Sequence, residues 1–206
     1  MRNDLLPSYK ERVVDPIYEE EHKKAKHLMN KLRKDILPSL GFENLLSQPG
    51  YEADDIIASV VHNSLMDDPA VIVATDKDLL QLLVGDQVVM YNPNKEEITN
   101  ESKFKKQWPG LEPKDWAMVK AIAGCRSDNV PGIAGVGEPT AAKFLQGLLP
   151  RHYATYDKIA KCPVADIEFR KRLTKLPFEG TKVFDLIEGE SINWRKVQTY
   201  QPKEGE

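Results

Sequence analysis

The chain has 206 residues, and its 29 lysines and arginines against 32 aspartates and glutamates give a formal net charge of −3. This length predicts one domain, or one domain with an appendage. No apolar run approaches the roughly 20 residues of a membrane helix, and the two cysteines form neither a disulfide framework nor a zinc motif. We therefore expect a cytoplasmic protein with no membrane partner, on which any basic surface is local.

The first half of the chain alternates helical and strand patterns. Residues 17–37 have a helical pattern that starts at Asp15-Pro16, and residues 51–66 form a second amphipathic helix. The apolar run 70–75 is typical of a buried parallel strand, residues 78–83 of a helical turn, and residues 87–92 of a second strand. This order predicts an α/β fold with a parallel sheet flanked by helices.

The second half is mainly helical. Helices are expected within 101–124 and over 140–149, separated by a loop rich in glycine and proline. Residues 151–190 suggest further helices, with an extended segment over 178–189. We expect a sheet-containing part at 1–100, a helical subdomain at 101–190 and a tail at 191–206.

Two short acidic motifs carry the first chemical signal. Glu52, Asp54 and Asp55 begin the second helix, where three carboxylates in four residues repel one another unless a cation or a helix N-terminus compensates them. Asp76 and Asp78 directly follow the apolar strand 70–75, at the end of a strand where α/β sheets place ligands. Helix capping and dipole complementarity are the alternative explanation for both motifs.

A third motif spans residues 124–143. Asp128 leads into a loop punctuated by Gly132, Gly135 and Gly137, and a helix carrying Lys143 follows. Glycines let a backbone approach a phosphate closely, and the next helix N-terminus favours an anion. Such a unit can hold a DNA backbone without reading its sequence.

Clusters of carboxylates without nitrogen or sulfur ligands favour Mg²⁺ or Mn²⁺ over zinc. Two such ions about 3.5–4 Å apart can activate water and stabilise a leaving oxygen in phosphodiester hydrolysis. The residues alone thus indicate phosphoryl chemistry with divalent metals beside a phosphate-binding hairpin.

Together these motifs resemble the 5′-3′ exonuclease and flap endonuclease family, which includes phage 5′ nucleases and the 5′-nuclease domains of bacterial DNA polymerase I. The matching segments are Glu-Ala-Asp-Asp at 52–55, Thr-Asp-Lys-Asp at 75–78, Ser-Asp-Asn-Val-Pro-Gly-Ile at 127–133 and Leu-Pro-Ser-Tyr-Lys at 6–10. The resemblance covers about residues 2–150. It implies a PIN-like (resolvase-like) sheet, a helix-hairpin-helix subdomain, and an enzyme that hydrolyses branched or 5′-ended DNA in phage-type replication and repair.

The resemblance also implies roles for particular residues. It implies two metal clusters for Mg²⁺ or Mn²⁺, the first formed by Glu52, Asp54, Asp55 and Asp76 and the second by Asp78 and Asp128. It places Lys10 and Arg12 at the scissile phosphate, in an arch remnant over 1–37. It implies that the hairpin binds duplex DNA, with a K⁺ ion held by backbone carbonyls, through Gly132, Gly135, Gly137, Thr140 and Lys143.

The chain departs from the family pattern in two ways. Family members begin with a strand that carries a metal-binding Asp, and a second strand with another Asp precedes the arch. We expect those strands to come from a separate N-terminal polypeptide or from an upstream coding segment. Cys125 stands where the family usually has Asp, and a thiol is a poor ligand for Mg²⁺.

Three functions therefore stay open from the sequence. The first is a 5′ nuclease of a phage or a bacterial cell. The second is a DNA-binding fragment that needs a complementing N-terminal segment for catalysis. The third is a phosphatase that does not act on DNA, which the hairpin argues against.

Overall fold

The computed structural model describes residues 1–11, 16–63, 68–189 and 191–201. Contacts divide the chain into two compact units, which are taken separately below. The first unit comprises residues 1–11 and 47–184, and the second comprises residues 12–46 and 185–206. The predicted boundary at residue 100 falls inside the first unit and stays a prediction.

The first unit contains a small sheet and most of the helices. Its strands are β1 (Ala70–Val73), β2 (Val88–Asn92) and β3 (Glu97–Thr99). Its α-helices are α1 (Arg2–Leu5), α4 (Ala53–Asn63), α5 (Glu101–Gln107), α6 (Trp116–Ala123), α7 (Glu138–Leu145), α8 (Ala154–Ala160) and α9 (Val164–Thr174). Two 3₁₀ turns span Lys77–Leu82 and Pro113–Asp115.

The sheet is mixed rather than purely parallel. Strands β1 and β2 run parallel, with Ala70 opposite Val88. Strand β3, which the sequence analysis did not predict, pairs antiparallel to β2, with Met90 opposite Thr99. The turn at 93–96 joins β2 to β3 directly, and such a short connection permits only antiparallel pairing.

The expectation that β1 is buried on both faces is wrong. Ile72 is 6% exposed, whereas Val71 and Val73 on the other face are 60% and 65% exposed. Within the part of the chain that the structure describes, β1 is also an edge strand, because only β2 pairs with it. The all-apolar composition of the run therefore does not reflect its burial here.

Helix α6 supplies the centre of the hydrophobic core. Trp116 and Val119 of this helix are fully buried, and Phe104 from α5 and Leu79 from the first 3₁₀ turn are 1% exposed. These residues belong to one cluster that also takes in Ile72 of the sheet. The core therefore holds the end of β1 and the helices that follow it in fixed relation, which positions the site described next.

The described part of the second unit contains helices and no strand. It contains α2 (Pro16–Lys31), a π-helical turn (Leu32–Ile36), α3 (Leu37–Ser39) and α10 (Trp194–Gln198). The predicted helix at 17–37 is thus present as α2 and its continuation. The two segments of this unit join where Asn193 N–H donates to the Leu40 carbonyl at 2.8 Å.

Some expectations from the sequence fall outside the described residues, and one is corrected by the structure. The second helix is described as far as Asn63, and its predicted end at 64–66 lies outside the described residues, as do Arg12 and Asp15. Residues 178–189 form no strand, so the predicted extended segment is not part of a sheet. Among the described helices, none is long and apolar enough to cross a lipid bilayer.

Candidate metal centre

Five of the six predicted metal-ligand residues line one recess of the first unit. The recess also contains Lys10, and its carboxylates belong to Glu52, Asp54, Asp76, Asp78 and Asp128. We call this set the acidic recess. Its free volume is about 20 Å³, enough for one water-sized group between the side chains.

Three separate parts of the chain bring these carboxylates together. Glu52 and Asp54 lie at the start of α4, and Asp76 and Asp78 follow β1. Asp128 lies in the tight turn between Cys125 and Val130, which form an isolated antiparallel bridge after α6. The sequence analysis identified each of these three segments, and the fold brings their carboxylates around one cavity.

Asp54 shows most clearly that the acidic recess disfavours further negative charge. Burial raises the pKa of Asp54 to about 6, and the nearby carboxylates of Asp76, Glu52 and Asp78 add to this rise. A raised carboxyl pKa means that the folded chain resists the negative charge. A cation at this position removes that cost.

Asp76 serves two purposes in the structure. Its carboxylate caps the 3₁₀ turn by accepting the Asp78 N–H at 2.9 Å. The same carboxylate lines the acidic recess. Capping, the alternative explanation for this motif, is therefore present together with the cluster rather than instead of it.

Lys10 places a positive charge between two carboxylates of the acidic recess. Its Nζ lies 2.7 Å from Glu52 Oε2 and 3.5 Å from Asp128 Oδ1. Burial opposes the charged form of Lys10, but its hydrogen bond to Glu52 and the negative charges of both carboxylates outweigh burial and raise its pKa. Asn129 holds the adjoining backbone by donating to the carbonyls of Ser8 and Glu11.

Lys120 is a buried cation that sequence reasoning missed. It is 8% exposed, and its Nζ lies 2.9 Å from Asp78 Oδ1 and 3.4 Å from Glu138 Oε1. Asp78 Oδ1 nevertheless accepts no hydrogen bond of good geometry among the described residues. Burial raises the pKa of Asp78, and the charge of Lys120 opposes this rise. A lysine within a buried, otherwise apolar helix was the available signal.

Asp55 is placed differently from its neighbours. It is fully buried and does not line the acidic recess. Its two carboxylate oxygens accept from the Arg2 guanidinium at 2.5 and 2.8 Å, and they also accept the N–H groups of Phe178 and Glu52. Arg2 further donates to the Leu173 carbonyl and lies over the Phe178 ring at 4.5 Å. The lone pairs of Asp55 are thus used by the protein, and Arg2 is a second residue that the sequence analysis missed.

Cys125 brings a sulfur ligand to the edge of the recess. Ligand atoms of Asp78, Cys125 and Asp128 all lie within 4.8 Å of one another. The Cys125 Sγ donates to Asp128 Oδ2 at 3.1 Å, and burial raises the pKa of this thiol. Carboxylates suit Mg²⁺ or Mn²⁺, whereas a thiolate suits softer ions, so the two sides of the recess differ in the ion they favour.

The glycine hairpin, residues 124–137, follows α6 directly. A Cβ atom added to Gly132 would lie 2.0 Å from the Ala123 carbonyl oxygen, so only glycine fits there. Gly135 has a φ of 81°, in the left-handed region that favours glycine. Gly137 is the N-cap of α7, and an added Cβ would meet only Pro139 at 3.8 Å.

The hairpin and the start of α7 frame an open concavity. Its volume is about 820 Å³, and residues 123–126 and 129–138 line it. Thr140 is half-buried and Lys143 is exposed on α7. Lys158 donates to the Ala134 carbonyl at 3.0 Å, which places an ammonium group at one of the hairpin carbonyls.

Comparisons with known proteins agree with this architecture. The family described as 5′-3′ exonuclease, N-terminal resolvase-like domain matches residues 1–109. The chain belongs to this 5′-3′ exonuclease family. The family resemblance inferred from the motifs is therefore confirmed.

Members of the 5′-3′ exonuclease family include longer relatives. The chain is 41% identical over 169 residues to the thermostable DNA polymerase I of Thermus caldophilus, which covers 77% of this chain and 20% of that protein. It is 36% identical over 150 residues to the 5′-3′ exonuclease of Aquifex aeolicus, which covers 69% of this chain and 51% of that protein. The chain thus spans a fifth to a half of the length of these relatives.

A solved structure supports the fold. The bacteriophage T5 flap endonuclease, in a pseudo-enzyme–product complex with DNA and metal ions, superimposes with a TM-score of 0.66. The alignment covers 85% of this chain and 70% of that one, at 20% identity. The predicted PIN-like fold of a sheet flanked by helices is confirmed, with the sheet mixed as described above.

Proposed function

We propose that the chain is a metal-dependent 5′-3′ exonuclease or flap endonuclease that hydrolyses DNA phosphodiesters. The observation that carries this proposal is the acidic recess, where five carboxylates from three chain segments converge at the end of β1. Membership of the 5′-3′ exonuclease family supports it. The substrate would be branched or 5′-ended DNA, met in the cytoplasm of a bacterial or phage-infected cell.

The residues of the recess fit divalent metal ions, which we propose to be Mg²⁺ or Mn²⁺. The folded chain disfavours the charged form of Asp54, whose pKa is raised, and Asp78 Oδ1 is buried without a good hydrogen bond. The proposed ligands are Glu52, Asp54 and Asp76 on one side and Asp78 and Asp128 on the other. A bound divalent ion supplies positive charge that activates water and stabilises the leaving oxygen.

Residues of the chain itself would position the phosphate. Lys10 is 41% exposed and remains charged because its pKa is raised, so its ammonium group can also hold a phosphate oxygen at the mouth of the recess. We assign it that role, and Arg12 the same role by resemblance. Asp55 we now assign to positioning: through Arg2 it fixes the start of α4, on which Glu52 and Asp54 lie.

We propose that the glycine hairpin and the start of α7 bind the DNA backbone next to the recess. Gly135, with its positive φ, and Gly137, the N-cap of α7, are both exposed, so a phosphate can approach the backbone closely there. Thr140 and Lys143 would add a hydroxyl and an ammonium group. A K⁺ ion at the hairpin carbonyls would have to share them with Lys158.

A separate N-terminal polypeptide is a further proposed partner. Val71 and Val73 are exposed, and one edge of β1 pairs with no other described strand. Both features favour such a partner, because an exposed apolar strand edge pairs readily with another strand. With such a partner required for cleavage, the chain alone would bind DNA without cutting it.

The test is cleavage of a labelled 5′-flap substrate in Mg²⁺ or Mn²⁺, with and without added upstream polypeptide. Asp76→Asn should reduce the rate roughly a hundredfold or more, as expected for a group that stabilises charge in the transition state. Asp157→Asn, which removes an exposed carboxylate from α8, is the matched control and should leave the rate unchanged. Absence of cleavage under every condition, or equal cleavage by both variants, would refute the proposal.

A further inference from the structure

Glu138 connects the glycine hairpin with the acidic recess through a buried lysine. It is the first residue of α7 and lines the concavity beside the hairpin. Its side chain is 25% exposed, its Oε2 lies 3.1 Å from Lys77 Nζ, and its Oε1 accepts a hydrogen bond from Lys120 Nζ at 3.4 Å. Lys120 in turn pairs with Asp78 of the acidic recess. One ammonium group therefore links the start of α7 to a proposed metal ligand.

Lys120 contacts its two carboxylate partners in different ways. Its Nζ lies 2.9 Å from Asp78 Oδ1, yet this oxygen accepts no hydrogen bond of good geometry among the described residues. The contact with Glu138 is longer, at 3.4 Å, but its angles permit a hydrogen bond. The attraction between Lys120 and Asp78 is thus mainly one of charge, and Asp78 Oδ1 keeps a lone pair for another cation.

A cation bound at Asp78 would make Lys120 depend on its other partner. The Lys120 side chain is 10% exposed, and a charge buried to that degree is strongly destabilising when it has no counter-ion. A second positive charge at Asp78 would also repel the ammonium group. Among the described residues, Glu138 is the other carboxylate that pairs with Lys120, and it already accepts its hydrogen bond.

We propose that Glu138 takes over the Lys120 ammonium group when a divalent cation occupies Asp78. Glu138 is then a positioning residue for metal binding, because it acts through Lys120 rather than on the cation itself.

This exchange of partners also changes the charge at the start of α7. With the ammonium group held by Glu138 alone, its positive charge offsets a carboxylate that otherwise repels an anion approaching this helix N-terminus. A cation in the acidic recess and an anion at the hairpin should therefore favour each other's binding. That the anion is a DNA phosphate rests on the proposed function.

Calorimetric titration with Mn²⁺ in the absence of DNA tests the role of Glu138. Glu138→Gln should weaken Mn²⁺ binding about tenfold, an effect between those of exposed and buried ion pairs. Glu101→Gln is the matched control and should leave Mn²⁺ binding unchanged. Glu101 is the first residue of α5, its side chain is also 25% exposed, and it pairs with Lys105 at 2.7 Å.

A double-mutant cycle separates this role from a general loss of negative charge. In the Lys120→Met background, Glu138→Gln should change Mn²⁺ affinity by less than about twofold, because the ammonium group is gone. Glu138→Asp, which keeps the charge on a shorter side chain, should recover part of the lost affinity in the Lys120 background. An equal loss in both backgrounds, an unchanged affinity in Glu138→Gln, or no Mn²⁺ binding by the unmodified chain would overturn the proposal.

The affinity for DNA in EDTA gives an independent readout. Glu138→Gln should bind a labelled 5′-flap DNA about two- to fivefold more tightly in fluorescence anisotropy, because it removes negative charge from the start of α7. Weaker metal binding together with tighter DNA binding would not result from a loss of stability alone, and weaker DNA binding would overturn the coupling. A chain that cuts no DNA would refute the proposed nuclease, whereas the Mn²⁺ cycle would still decide the role of Glu138.

Discussion

The neighbouring carboxylates Asp54 and Asp55 should respond in opposite ways to the same substitution. Asp54 lies in the acidic recess among like charges, whereas Asp55 is fully buried against the Arg2 guanidinium. Changing each to asparagine removes the charge with little change in shape. The two variants thus compare a carboxylate whose negative charge destabilises the fold with one whose negative charge stabilises it.

Asp54→Asn should stabilise the metal-free chain at neutral pH. The pKa of Asp54 is about 6 against an ordinary 3.8, which corresponds to at most about 3 kcal/mol, and solvent screening of this partly exposed group reduces that to about 1–2 kcal/mol. The folded chain holds the proton up to about pH 6, whereas the unfolded chain releases it near 3.8. Stability therefore falls as pH rises between these values, and the loss is complete above about pH 6.

Asp55→Asn should destabilise the chain by about 3 kcal/mol or more, because it leaves the Arg2 charge buried without its counter-ion. Urea denaturation in EDTA at pH 4.5 and 7.5 measures both effects. A Mn²⁺ titration followed by melting temperature should show the stabilisation by metal lost in Asp54→Asn and kept in Asp55→Asn. The reasoning is refuted if Asp55→Asn costs less than about 1 kcal/mol and loses the Mn²⁺ response, since Asp55 would then be a ligand rather than a structural partner.

Three further substitutions, one of them with a matched control, test other parts of the site. Cys125→Asp should raise Mg²⁺ affinity roughly tenfold and lower Cd²⁺ affinity in calorimetric titrations, because it replaces a soft ligand with a hard one; unchanged affinities for both ions would contradict this. Gly132→Ala should cost about 1–3 kcal/mol in urea denaturation, because its Cβ would lie 2.0 Å from the last carbonyl oxygen of α6, whereas Gly137→Ala should change stability by less than about 0.5 kcal/mol. Lys120→Met should cost about 3 kcal/mol without metal by leaving Asp78 unpaired, and Mn²⁺ should then raise the melting temperature more than in the unmodified chain; an equal rise in both would count against this role of Lys120.

The sequence predicted those parts of the site that depend on local pattern. The acidic motifs, the helix starts beside them and the glycine hairpin each occupy a short stretch of sequence. Spacing within such a stretch decides on which face of a helix a residue lies. Five of the predicted metal-ligand residues accordingly lie around one recess. The family resemblance added the relation between the motifs, which no single motif contains.

The features that the sequence missed depend on contacts between distant segments. Arg2 and Asp55 are 53 positions apart, and nothing in either segment indicates that they pair. Lys120 stands out as a lysine in an apolar helix, but nothing in the sequence indicates that its partner is Asp78. The prediction that β1 is buried on both faces was wrong for the same reason. An apolar composition shows that a strand can be covered on both faces, but among the described residues no layer covers Val71 and Val73.

The distribution of lysines indicates where added positive charge is most needed. Lys10 pairs with Glu52 and Asp128, and Lys120 pairs with Asp78, so both residues of the second proposed metal cluster, and Glu52 of the first, already have a cation beside them in the metal-free chain. Among the described residues Asp54 has no such partner: the strongest charges on it are carboxylates, and the opposing effect of Lys10 is weaker than any of them. A divalent ion therefore gains most beside Asp54. On the Lys120 side it must displace or share an ammonium group within a recess that has room for about one water-sized group. The two proposed metal positions are thus unequal before any ion binds, and Cys125, a soft ligand on the Lys120 side, increases that inequality for Mg²⁺.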